Sequence, residues 1–170
     1  MIFVSGGVRS GKSSFAEELV LNCDGDYIYI ATAKNYDDEM DLRIRKHQED
    51  RRNKGFRTIE ATSNLSEIYN ILKANDIVLL ECLTTLVANE MFDNNLTTNE
   101  VVSKVRADIM TINNKVRKLI IVSNDLYGDD ISYDKSVNDY YEAVVRISSI
   151  IIGISQEVYE MSYGIAIKRK

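Results

Sequence analysis

The run Gly6-Gly-Val-Arg-Ser-Gly11-Lys12-Ser13 constrains the fold more than any other stretch of this 170-residue chain. Its spacing is G-x-x-x-x-G-K-[ST], and it joins two segments of different period. Residues 1–5 form a short apolar run that reads as a buried strand. After Lys12, the residues Phe15, Ala16, Leu19 and Val20 share one face of a helix. A glycine-rich turn between strand and helix lets consecutive backbone N–H groups converge on one anion. The helix adds the positive end of its dipole to the same place. The pattern therefore predicts that Gly6, Gly7, Val8, Arg9, Ser10, Gly11, Lys12 and Ser13 cradle the phosphates of a nucleoside triphosphate. Lys12 reaches the β- and γ-phosphates and the Ser13 hydroxyl ligates Mg²⁺.

The remainder of the chain continues the alternation of strand and helix. Strands are expected over 27–32, 56–61, 76–82 and 119–123, and helices over 37–52, 65–72, 84–92, 100–113 and 135–154. Residues 157–163 and 165–168 flank Gly164 and read as a closing hairpin. The strands are apolar throughout, as strands covered on both faces are. This order predicts a single α/β domain over 1–170, P-loop NTPase-like, with a mostly parallel sheet flanked by helices on both faces and a C-terminal β-hairpin.

Composition narrows the setting. A net charge of −5 argues against a nucleic-acid partner. Two cysteines are too few for a disulfide framework and fit a reducing cytoplasm. The longest apolar run, 147–154, is far short of the ~20 residues of a membrane span. The expectation is a cytoplasmic protein with small-molecule partners.

Two further residues carry chemistry. Glu81 ends the apolar strand Ile77-Val-Leu-Leu80, where an acid either faces solvent or is aimed at Mg²⁺ on the neighbouring phosphate loop. His47 is the only histidine and shares a helical stripe with Met40 and Ile44. It reads either as a core histidine satisfied by one hydrogen bond or as a nucleophile toward phosphorus.

A wider pattern surrounds these residues. Tyr29-Ile-Ala-Thr-Ala33, Asp37-Asp-Glu-Met40, Arg43-Ile44, His47, Arg51 and Phe56-Arg-Thr-Ile-Glu60 join Gly6 to Ser13 and Leu79-Leu-Glu-Cys-Leu-Thr84. Together they resemble the bifunctional adenosylcobinamide kinase/adenosylcobinamide-phosphate guanylyltransferase family of cobalamin biosynthesis. The resemblance implies that His47 takes GMP from GTP and passes it to adenosylcobinamide phosphate, and that ATP or GTP phosphorylates adenosylcobinamide. It implies a guanine nucleotide pocket lined by Thr32, Ala33, Lys34, Gln48, Glu49, Asp50, Arg51, Glu60 and Glu81, and a homotrimer. Arg51 holds phosphate in a planar fork or is a solvated helix-end arginine. After Val122-Ser-Asn124 the chain departs from the family pattern, reading Asp125-Leu-Tyr-Gly-Asp-Asp-Ile-Ser132. A plain small-molecule P-loop kinase and a nucleotide-dependent regulatory protein are the competing readings.

Overall fold

The computed structural model describes residues 1–34, 49, 51–125 and 134–170. Seven strands form one sheet: β1 (Ile2–Gly6), β2 (Asp26–Ala31), β3 (Arg57–Glu60), β4 (Asp76–Leu80), β5 (Lys118–Asn124), β6 (Glu157–Ser162) and β7 (Ile165–Lys168). Their spatial order is β3-β2-β4-β5-β1-β6-β7. Every pair is parallel except β6 and β7, which form an antiparallel hairpin. The described helices are α1 (Lys12–Leu21), α2 (Leu83–Asp93), α3 (Thr98–Lys115) and α4 (Lys135–Ile154). The expected α/β architecture, with its C-terminal hairpin, is the one observed.

Two apolar clusters sandwich the sheet. On one face Ala16 and Val20 of α1 pack on Ile2, Val4, Ile77, Leu79, Ile120 and Val122. On the other, α2, α3 and α4 cover Phe3, Val78, Leu80, Leu119 and Ile121. Neighbouring residues of one strand thus serve opposite clusters, which is why β4 and β5 read as unbroken apolar runs. Each fully buried aliphatic side chain contributes about 1.5–3 kcal/mol over exposure. At α3 a capping box adds to this: Thr97 accepts from the Glu100 N–H and the Glu100 carboxylate accepts from Thr97.

Two expected elements differ. The helix expected over 65–72 is only a single 3₁₀ turn, Leu65–Ile68. Asn64 enters it in the left-handed region, at φ 50°, and the bonds that follow run i to i−3. Just past the turn Tyr69 is tied to α3, its hydroxyl donating to Asp108 over 2.5 Å and its carbonyl accepting from Lys115. The strand expected over 27–32 ends one residue early, because the Thr32 N–H leaves the ladder for the Glu81 carboxylate. The helix expected over 37–52 falls mostly outside the described residues; Glu49 and residues 51–53 are helical.

Six parallel strands end on the same edge of the sheet. The loop Gly6–Ser13 leaves that edge from β1, between β5 and β6. Ligands of open α/β sheets bind at this carboxyl edge.

Candidate functional site

The Gly6–Ser13 loop turns sharply between β1 and α1. Arg9 and Gly11 sit in the left-handed region, at φ 60° and 91°, so the chain reverses within three residues. Gly6 must be glycine, because a Cβ there would stand 2.6 Å from the Ser10 Oγ and 2.7 Å from the Met161 carbonyl oxygen. Gly11 caps α1 without a side-chain acceptor, and the first turn carries no acid. The uncapped N–H groups and the dipole of α1 are therefore left for an anion. The Lys12 ammonium is buried and folds back onto the Gly7 carbonyl at 2.9 Å. A phosphate oxygen would offer it a charged acceptor in place of a neutral one.

The hairpin turn between β6 and β7 supports this loop from outside. The Gly164 N–H donates to the Ser10 carbonyl at 3.0 Å, and Gly164 Cα would stand 3.4 Å from a Cβ placed on Gly11. The Ser10 hydroxyl is buried with no hydrogen-bond partner among the described residues. On the other flank, the Asp125 N–H donates to the Gly6 carbonyl at 3.2 Å.

A second group of residues gathers at the ends of β2, β3 and β4. Glu81 follows β4, and its Oε2 accepts from the N–H groups of Thr32 at 2.9 Å and Ala33 at 3.2 Å. Glu81 is therefore neither a free surface acid nor on a strand adjacent to β1, since β5 lies between them. The Asn89 amide, buried in α2, donates to the carbonyls of Thr32 at 2.9 Å and Thr62 at 2.8 Å. Lys34 pairs with Asp93. Glu60 ends β3 opposite Ala31 of β2 and is exposed. The segment Thr32–Lys34 is thus braced by β4 and α2 from both sides.

Arg51 is not the solvated helix-end arginine that spacing allows. It is 6% exposed, with its guanidinium carbon 3.7 Å from the centre of the Tyr29 ring. Its Nε has no hydrogen-bond partner among the described residues. Burial, together with the charge and hydrogen bond of Glu81, pushes the Tyr29 hydroxyl far up from its ordinary value, and the Arg51 charge only partly opposes this. Tyr29 therefore stays neutral. Gln48, Asp50 and His47 lie outside the described residues, and Glu49 is exposed on the helical stretch.

Mg²⁺ takes hard oxygen ligands and usually arrives with nucleotide phosphates. The exposed Ser13 hydroxyl on the first turn of α1 and the Glu81 carboxylate fit that chemistry. Among the described residues no group of three or more His, Cys, Asp and Glu side chains assembles, as a protein-only cage would need.

Sequence reasoning missed Asn89, Asp125 and the Gly164 turn as parts of this edge. Asn89 had a visible signal: with Glu90 it interrupts the otherwise apolar stretch of α2, and both are buried. The other two had none, because their partners lie far away in sequence.

A G-x-x-x-x-G-K-S loop on β1, an interior strand of a mostly parallel sheet with helices on both faces, defines a P-loop NTPase-like α/β protein. A similar fold occurs in an ATPase from the type III secretion system of pathogenic bacteria. That structure is 11% identical with a TM-score of 0.54, and the match covers 99% of this chain and 56% of that one. The chain belongs to the cobinamide kinase/cobinamide phosphate guanyltransferase family, CobU, whose model matches residues 2–169. It is 30% identical to the bifunctional adenosylcobalamin biosynthesis protein CobU of Escherichia coli, over 100% of this chain and 99% of that protein. It is 29% identical to CobU of Salmonella typhimurium over the same shares. Among the described residues no helix is long and apolar enough to cross a membrane.

Proposed function

We propose that this protein phosphorylates adenosylcobinamide at the Gly6–Ser13 loop and transfers GMP from GTP to adenosylcobinamide phosphate through His47, yielding adenosylcobinamide-GDP. The observation that carries the reading is the phosphate loop at the carboxyl edge of β1, in a chain that matches one kinase/guanyltransferase family from end to end.

The two transfers make different demands. In phosphorylation, the N–H groups of the loop and Lys12 stabilise charge that builds on the β- and γ-phosphates. In guanylylation, a neutral imidazole nitrogen of His47 attacks the α-phosphorus of GTP. An N–P bond forms, and the bond to the β-phosphate oxygen breaks to release pyrophosphate. A phosphate oxygen of adenosylcobinamide phosphate then attacks the same phosphorus, and the N–P bond breaks. Splitting the exchange into two displacements lets one nucleotide pocket serve both halves.

Thr32, Ala33, Lys34, Gln48, Glu49, Asp50, Arg51, Glu60 and Glu81 are read as the walls of the guanine nucleotide pocket. The bracing of Thr32–Lys34 by Glu81 and Asn89 supports a rigid wall there. The buried guanidinium of Arg51 offers planar donors to phosphate. Ser13 and Glu81 would hold Mg²⁺, which supplies charge neutralisation between phosphates when bound. ATP or GTP as donor, a cytoplasmic setting and a homotrimeric assembly are part of the same proposal.

Incubation with GTP labelled at the α-phosphate tests the covalent step. The expected product is an acid-labile, alkali-stable label on the protein that His47→Ala abolishes. If the variant labels as fully as the wild type, the histidyl intermediate is wrong. Transfer of a γ-label to adenosylcobinamide without any retained α-label would leave a plain kinase.

A further inference from the structure

Beside the phosphate loop lies a cavity of about 250 Å³ that the nucleotide reading does not use. It is bounded by the ends of β1 and β5 and by α4, with Ser5, Asn124 and Asp125 on one side and Ser148, Ser149 and Ile152 on the other. Of its described lining residues Asp125 alone carries a charged side chain. We propose that Asp125 is the general base of the phosphorylation step, taking the proton from the substrate hydroxyl as that oxygen attacks the γ-phosphorus. The assignment rests on the kinase half of the proposed function and adds the residue that activates the acceptor.

Three observations place Asp125 in this role. Its main chain is fixed to the loop, since its N–H donates to the Gly6 carbonyl at 3.2 Å. The side chain is therefore presented next to the turn that would hold the transferred phosphoryl group. The carboxylate shares the cavity with Ser5, and the Ser5 hydroxyl and Gly6 N–H favour its charged form. Finally, its surroundings make it more basic than a free aspartate. Burial pushes its proton affinity up, and the Glu160 charge on β6 adds to this. The Ser5 hydroxyl, the Gly6 N–H and the Lys12 charge on α1 oppose it without cancelling it. From α4 the cavity receives only uncharged side chains.

The competing acids at this edge are differently employed. The Glu81 Oε2 is already occupied by two backbone N–H groups, those of Thr32 and Ala33. Glu160 pairs with Arg169 at 2.7 Å. In the proposed step the O–H bond of the acceptor breaks and its proton passes to the Asp125 carboxylate. The O–P bond forms, the bond from the γ-phosphorus to the β-phosphate oxygen breaks, and the nucleoside diphosphate leaves with that electron pair. The proton then returns to solvent. The apolar Phe3, Val144 and Ile152 give the cavity room for a short aliphatic arm that carries the hydroxyl.

The test compares full-length wild type, Asp125→Asn and Asp125→Glu in phosphorylation of adenosylcobinamide, with thermal melting to verify the fold of each. Asp125→Asn should lower kcat by roughly 100-fold or more, the range of general-base contributions, with KM for the nucleotide changed less than threefold. The wild-type kcat should fall toward acid as the carboxylate is protonated, with a midpoint above the ordinary aspartate range. Asp125→Asn should lose this acid limb, and Asp125→Glu should recover part of the rate together with the limb. Wild-type kcat in Asp125→Asn overturns the assignment alone. A loss that excess Mg²⁺ repairs also overturns it, since the carboxylate then serves the metal. A wild-type protein that phosphorylates no adenosylcobinamide overturns the kinase reading and the assignment with it.

Discussion

Glu90 shows what one residue contributes when the fold closes around it. It is fully buried on α2, yet its carboxylate accepts from the Asn64 N–H at 2.7 Å, from the Asn94 amide at 2.8 Å and from the Lys104 ammonium. Lys104 in turn donates to the Asn64 Oδ1 at 2.7 Å, so α2, α3 and the left-handed entry to the 3₁₀ turn share one knot. Glu90→Ala leaves the partly exposed Lys104 ammonium and the Asn64 N–H without their shared acceptor, which costs about 1–3 kcal/mol. Urea titration should read that loss as a lower midpoint with an unchanged slope. Arg51 is a second case: stacked on Tyr29 and buried, its guanidinium Nε has no hydrogen-bond partner among the described residues. Such a donor is suited to a ligand phosphate.

Among the elements, the loop and the strands beside it act as one unit. Gly6 belongs to β1, pairs in register with Met161 of β6 and with Asn124 of β5, and opens the loop. Gly6→Ala would press a methyl group against a main-chain oxygen that the ladder holds in place, so the loop must yield. We expect calorimetric titration to show affinity for ATP or GTP weakened at least tenfold. The sheet should survive, since the change lies at its edge. The hairpin turn carries the same logic, because Gly164 and Ser10 are joined by a single hydrogen bond across most of the chain. That contact makes the C-terminal hairpin a support for the phosphate loop as well as an edge of the sheet.

Over the whole molecule, a ligand that binds only the folded state must raise its stability. At 100 times Kd the gain is about 2.7 kcal/mol. For a chain of this size each kcal/mol moves Tm by about 2–4 °C. GTP with Mg²⁺ at that excess should therefore raise Tm by about 5–10 °C. Lys12→Ala should lose most of the shift at the same concentration, because it removes the ammonium proposed to meet the phosphates. A full shift in that variant would contradict the loop as the nucleotide site.

Local pattern determined the elements. Runs such as Ile77-Val-Leu-Leu80 and the i, i+4 spacing in α1 state which faces are apolar, and the glycines at 6, 7 and 11 state where the backbone must curl. Strand against helix, the phosphate loop and the closing hairpin follow from those local facts. Only the tertiary structure decided the strand order, which puts β5 between Glu81 and the loop. It also decided the 3₁₀ turn in place of a helix at 65–72, the burial of Arg51 on Tyr29 and the contact between Gly164 and Ser10. The physical reason is range. Backbone periodicity records how a segment meets its own neighbours in sequence, whereas a buried carboxylate or guanidinium is positioned by partners dozens of residues away.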